Sequence, residues 1–298
     1  MITNKSQSVV MPNLNADLEW LVNAPDLLLT APMQKQLNNL INASEILTKT
    51  DNLPETFPPL SSGRLGLYFE QLFLHQLQQN PGFELQAANL QVHLDGMTAG
   101  EFDCLIQSLT TNETIHCEVA VKFYLKIGHG NVLSDWLGPN VKDSLAIKYL
   151  HLLNHQLALS NKPEVAQWLN TRDIHIIQRA LLSRGRLYYP LADYLNEQFI
   201  FPKEVNADHQ KGFWCDIKAF EEFVMINPAL SWFQLPKPFW FADITNDKRQ
   251  ELVTFSTDQF RHLQQVVAMN SSGEEMRGFV VTDEWYNKAL NRLADDNL

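Results

Sequence analysis

Asp103, Glu118 and Lys122 lie in GEFDCLIQ and TIHCEVAVKFYL, two neighbouring segments that alternate like strands. Acids and lysines are poor strand formers and are rarely buried without a partner, so three of them in adjoining strands call for a reason. Side chains alternate between the two faces of a strand. In the second segment Ile115, Cys117, Val119, Val121 and Phe123 make one wholly apolar face, leaving His116, Glu118, Ala120, Lys122 and Tyr124 on the other. In the first, Phe102, Cys104 and Ile106 alternate with Glu101, Asp103 and Leu105. With both apolar faces turned to one core, Asp103, Glu118 and Lys122 share the opposite surface. Two carboxylates on adjacent strands can hold one hard cation such as Mg2+. Water on such an ion is a stronger acid, which supplies a nucleophile for phosphodiester hydrolysis, and a nearby lysine can orient it. The same three side chains can equally solvate an exposed face or form a salt bridge.

Helices and further strands must position these residues. Residues 16–48 carry Leu-rich patterns that read as two helices broken around Pro25 and Pro32, and the Pro/Ser/Thr-rich stretch 49–62 reads as a boundary. Leu65, Phe69, Phe73 and Leu77 recur every four residues with Leu72 beside them, which predicts an amphipathic helix stopped by Asn80-Pro81. FELQAANLQVHLDG reads as strand ahead of the two already described. A helix follows Gly138-Pro139-Asn140, another includes EVAQWLN, and DIHIIQRALL reads as a further strand. The order helix, two or three strands, helix, strand predicts an α/β fold with a mixed sheet flanked by helices. Beyond residue 182 the pattern is less legible, with helices expected near 256–270 and 283–295. The expected division is an N-terminal helical segment 1–60, a core 61–182 and a C-terminal α+β lobe 183–298 packed on it.

The composition sets bounds. With 45% hydrophobic and 19% charged residues among 298, the chain can bury a substantial core and lacks the profile of disorder. Its three cysteines form no CxxC, which points to a reducing, cytoplasmic setting and no structural zinc. No run has signal-peptide or bilayer-spanning character, so no membrane is expected. A net charge of −11 argues against a general nucleic-acid coat but leaves room for a local cationic surface. Arg179, Arg184 and Arg186, close to Tyr188 and Tyr189, are the candidates for it, against ordinary charge scatter.

In its order of elements the chain resembles the PD-(D/E)xK (restriction-endonuclease-like) nuclease superfamily. GEFDCLI is similar to the aspartate-bearing strand of resolvase-like members, and HCEVAVK to the strand that follows it. More narrowly, GRLGLYFEQL, CEVAVKFYL and WLGPNVKDSL resemble a bacterial family of unknown function assigned to that superfamily. The resemblance implies a metal-dependent nuclease acting on DNA or RNA. Asp103 and Glu118 would ligate Mg2+ or Mn2+, Lys122 would help position water, and Arg179, Arg184 and Arg186 would hold phosphates. Glu70 would be the accessory helix acid, and Gln156, ending the stripe Leu145, Tyr149 and Leu152, would face the site. One departure stands out: the superfamily's acid and lysine are usually two residues apart, whereas Glu118 and Lys122 are four apart. Both spacings keep the face, but four residues span roughly 13 Å of strand rather than roughly 7 Å. The alternative is therefore a nuclease-fold protein that no longer cleaves and serves as a nucleic-acid-binding or protein-interaction module. Other candidates are fewer. His151 and His155 are spaced to share a metal yet lack an evident third ligand, and Trp240 could stack a base.

Overall fold

Asn13 opens the first helix, α1 (Leu14–Asn23), by accepting the Ala16 N–H on its side chain at 3.4 Å. The helix stops at Ala24 because the residue before a proline is pushed out of helical geometry. The computed structural model describes residues 13–29, 40–47, 65–257 and 260–296. The expected boundary at 49–62 lies outside them, as does most of the second N-terminal helix. Of that helix's span, Leu40–Asn42 is instead a strand, β1, followed by a 3-10 turn. Pairing with an exposed strand edge overrides its weak helical pattern.

The apolar stripe forms α2 (Leu65–Gln78), with Tyr68, Phe69, Leu72, Phe73 and Leu77 buried. Next come β2 (Phe83–Leu94), β3 (Met97–Ser108) and β4 (Thr114–Lys126), an antiparallel meander. Asp95 and Gly96 join β2 to β3 with φ of 51° and 79°, the left-handed pair that a two-residue hairpin requires. A short β5 (Trp136–Leu137) leads to α3 (Leu145–His151), capped by Ser144 through the Ile147 N–H. The helix widens into one π-helical turn at Leu152–Gln156, and Pro163 then starts α4 (Pro163–Asn170). The long β6 (Ile176–Pro190) runs parallel to β4. After it come α5 (Leu191–Leu195), β7 (Gln210–Asp216), α6 (Ile217–Ile226), β8 (Ser231–Gln234), β9 (Gln264–Met269), β10 (Glu274–Val281) and α7 (Asp283–Asp296).

The sheet order is β2-β3-β4-β6-β7-β10-β9-β8, with β1 on β6 and β5 on β4. This is a mixed sheet flanked by helices. The division expected at residue 182 falls inside β6, and β7 to β10 extend the same sheet instead of forming a lobe laid upon it. The helix expected near 256–270 is replaced there by β9, whose Val266 and Val267 are fully buried between β8 and β10. β-branched residues suit that interior position.

One face of the sheet packs Ile115, Cys117, Val119, Val121 and Phe123 against α1 and α2. Across the sheet, Leu145, Tyr149, Leu152 and Leu157 cluster with Tyr124 and Leu181. Phe102 departs from the expected parity: it clusters with Leu105 and sets its ring edge-on to His116, 4.6 Å between centroids. The change falls where β3 parts from β4, described next.

Candidate functional site

β3 and β4 pair from Cys104 opposite Cys117 to Gln107 opposite Thr114, and there the ladder ends. One step further, Asp103 and Glu118 would be the next opposed pair. Instead the Val119 N–H donates to Asp103 Oδ2 at 3.0 Å, so a carboxylate replaces the missing backbone partner. β4 does not bend at this point, because its other edge stays bonded to β6 from Thr114 to Leu125. The fork therefore opens on the β3 side, with the two acids at its crotch.

Glu118 is fully buried. Its Oε1 lies 2.6 Å from His116 Nε2, and its Oε2 accepts a hydrogen bond from Gln156 Nε2 at 2.6 Å. Gln156 Oε1 in turn meets His151 Nδ1 at 3.2 Å. The π-helical turn, closed by the Leu157 N–H on the Leu152 carbonyl, carries Gln156 on its last residue. Single π turns recur at functional sites because the extra residue redirects side chains.

The charges in this fork are short of a cation. Burial raises Asp103 to about 7, and the neighbouring Glu118 carboxylate adds to the shift. Glu118 is likewise raised to about 7 by burial, with Asp103 within hydrogen-bonding reach, so the two titrate as a pair. Glu70, from α2, is raised to about 7 by burial and by Asp103 and Glu101. His116 is lowered to about 3 by burial and stays neutral at ordinary pH. Burial and the Lys148 charge lower Lys122, while Asp143, Asp103 and Glu70 pull it back up.

Glu70, Asp103, Lys122, Lys148, His151 and Gln156 line a cleft of about 310 Å³, with Glu118 and His116 buried behind its wall. Asp103, His151 and Gln156 also line an adjoining cavity of about 320 Å³, with Glu101, His155 and Lys162. Of the residues expected together, Asp103, Lys122, Glu70 and Gln156 line this cleft, and Glu118 is reached from it through Gln156. Among the described residues no group of three or more His, Cys, Asp or Glu side chains is arranged to hold a metal. The fork offers a carboxylate pair, not a cage.

Two of the three expected arginines, Arg184 and Arg186, are buried away from the cleft. Arg184 is 1% exposed and donates to Asp26 Oδ1 at 2.6 Å and to the Leu21 carbonyl at 3.0 Å, tying the end of α1 to β6. Arg186, also buried, bonds the Lys211 carbonyl, Gln210 and Asp243. Strand alternation and burial turn both guanidinium groups inward, away from any phosphate. Arg179 alone of the three stands on the His116 side, half-buried and bonded to the Leu157 carbonyl at 3.3 Å. The cations on the cleft walls are Lys122, Lys148 and Lys162 instead. Trp240 is also buried, its indole N–H on the Leu235 carbonyl at 3.0 Å, which leaves no face for a base. The rings of His151 and His155 stack with centroids 5.3 Å apart.

His116 falls on the face of Glu118 by sequence parity, two residues before it, but the sequence assigns it no role. That parity was the available signal. The π turn left none, since a 3.6-residue stripe already put Gln156 near the site. A family described as a domain of unknown function, DUF1853, matches residues 16–281. The chain belongs to DUF1853. The match spans the fork, both cavities and every strand of the sheet. No curated protein and no solved structure matches the chain. Among the described residues no helix is long and apolar enough to cross a membrane.

Proposed function

We propose that this DUF1853 protein is a metal-dependent nuclease of the PD-(D/E)xK type, hydrolysing phosphodiester bonds in DNA or RNA. The observation that carries this is the fork: Asp103 and Glu118 meet where β3 leaves β4, with Glu70 and Lys122 on the same cleft. The order α2, β2-β3-β4 meander, α3, then β6 parallel to β4 supports a restriction-endonuclease-like core.

The donor set suits a hard cation. An all-oxygen pair with room for water matches Mg2+ or Mn2+, which take one or two carboxylates and keep several waters. Asp103 and Glu118 would hold the ion, which when bound acidifies water and offsets phosphate charge. His116 and Gln156 fix the Glu118 carboxylate from both sides, and the Val119 N–H fixes Asp103. Lys122 has no hydrogen-bond partner among the described residues, so its ammonium is available to water or to a phosphate oxygen. Glu70, held near neutrality, can take up a proton at its carboxyl.

The non-cleaving module is the second reading. It is favoured by the engagement of both Glu118 oxygens at 2.6 Å. Titrating Mg2+ and Mn2+ by calorimetry into wild type and Asp103→Asn, alongside cleavage of labelled single- and double-stranded DNA and RNA, separates the two. Cleavage and binding heat that both vanish in a folded Asp103→Asn support the nuclease. Absent cleavage in wild type moves the assignment to the module, and metal-independent cleavage overturns both readings.

A further inference from the structure

Lys122 stands on a wall shared by two spaces. It lines the main cleft with Glu70 and Asp103, and also a smaller cavity of about 160 Å³ with Tyr124, Asn140 and Asp143. The smaller cavity is built by the 138–144 loop, and that loop is tightly made. The Gly138 N–H donates to the Asp143 carbonyl at 2.8 Å, the Val141 N–H to the Gly138 carbonyl at 2.8 Å, and the Lys142 N–H to Asn140 Oδ1 at 3.0 Å. From outside, Trp285 of α7 braces it by donating its indole N–H to the Pro139 carbonyl at 2.7 Å.

Val141 adopts φ of 64°. A β-branched side chain in the left-handed region is an outlier that surrounding structure must enforce. The distorted turn brings Asp143, two residues on, over β4. There Tyr124, 1% exposed and two residues from Lys122 on the same strand face, donates its hydroxyl to Asp143 Oδ2 at 3.2 Å. The carboxylate is thus held on one side by a buried phenol while its charge acts on the Lys122 ammonium.

We propose that Asp143 is a positioning residue for Lys122: the loop strained at Val141 and the buried Tyr124 hydroxyl fix a carboxylate that draws the lysine ammonium to the wall between the two cavities. The charged groups facing Lys122 are Glu70 from α2, Asp103 from β3, Lys148 from α3 and Asp143 from the loop. Glu70, Asp103 and Lys148 line the main cleft with Lys122, whereas Asp143 alone of the four lines the smaller cavity. Such an anchor gives a lysine four residues beyond Glu118 a defined place. Its catalytic meaning rests on the nuclease reading, but the placing of Asp143 and Lys122 on one cavity wall does not.

The test reads Lys122 directly. Wild type, Asp143→Asn, Asp143→Glu and Tyr124→Phe are briefly exposed to acetic anhydride at pH 8, and acetylation of each lysine is followed by peptide mass spectrometry. Loss of the neighbouring charge increases the fraction of neutral amine, so Lys122 in Asp143→Asn should react about three- to tenfold faster. Asp143→Glu should restore most of the wild-type rate, and Tyr124→Phe should fall between. Lys148 and Lys162 in the same digest should not change, which a general loosening would not achieve. An unchanged or slower Lys122 in folded Asp143→Asn overturns the proposal, as does a uniform rise at all lysines. If Asp143→Asn does not fold, Tyr124→Phe decides by the same criteria. Because neither metal nor cleavage enters the measurement, a protein that never cuts leaves this result intact, and an unaltered Lys122 leaves the metal test intact.

Discussion

Two charge clusters lie in the same sheet and are built on opposite terms. On β10, Arg277 is 1% exposed, and every arm of its guanidinium is answered. Glu274 takes Nε at 2.5 Å and Nη2 at 2.6 Å, while the carbonyls of Phe239, Trp240 and Ala242 take the rest. At the fork between β3 and β4, three carboxyl groups are raised to about 7 beside Lys122, which has no hydrogen-bond partner among the described residues. The first cluster is closed and holds the 239–242 segment to the sheet. The second is open to a cleft and deficient in positive charge. A buried charge with every partner in place is a structural rivet; one that lacks its counter-charge marks where a ligand completes the site.

The contrast is broken most forcefully at the closed cluster. Arg277→Ala strands the Glu274 carboxylate and three carbonyls, and should cost about 3–5 kcal/mol in urea unfolding. Asp103→Asn removes a like-charge contact instead, so its stability at pH 8 should stay within about 1 kcal/mol of wild type, on the stabilised side. If both substitutions destabilise equally, the fork is a rivet too and the functional reading loses its physical basis.

A pH series sharpens the comparison further. Asp17, packed near Arg277 and hydrogen-bonded by Tyr68 and the Ala242 N–H, is raised by burial to about 7. For Asp17 as for the fork acids, the folded state binds more protons than the unfolded chain between roughly pH 4 and 7. Their contribution is therefore fully present below about pH 4, is lost as pH rises to about 7, and is level above. Asp17→Asn should flatten part of that fall, with an upper bound of about 4 kcal/mol for a buried acid shifted by three units. Mn2+ should offset a different part by binding the ionised fork, and should do so in Asp17→Asn as well as in wild type. A metal effect that disappears with Asp17 would place the cation away from the fork.

Much of the fork was legible because parity along a strand is strict. Glu118, Lys122 and Asp103 fell on one face by counting alone, and α2 announced itself through Phe69, Phe73 and Leu77. What could not be read depends on tertiary pairing. Nothing local in Leu40–Asn42 or Gln264–Met269 outweighs a helical reading until β6, or β8 and β10, offer partners. The arginines on β6 misled for a related reason. A strand in the middle of a sheet turns its basic side chains into whichever layer covers it; α1 supplies the Leu21 carbonyl and the residues just after it supply Asp26, both far away in sequence. His116 was countable onto the site face, but only the 2.6 Å contact to Glu118 reveals its purpose.

The smallest expected effect bears on how the open cluster is kept in shape. Gln156 touches the acids without being one, and holds Glu118 Oε2 from the π turn while His151 steadies its own amide oxygen. Outer partners of this kind orient a ligating carboxylate, and losing one typically weakens metal affinity by about 10- to 100-fold. Gln156→Ala should therefore lower Mn2+ affinity by about tenfold in calorimetry with little change in unfolding, since its side chain is only half-buried. Gln156→Glu should be worse than Ala, because a fourth carboxylate would join three already crowded ones. If Glu binds Mn2+ more tightly than Gln, the position itself lies within reach of the ion. Gln156 would then belong among the ligands, and the fork would be a three-residue site in which the amide occupies one corner.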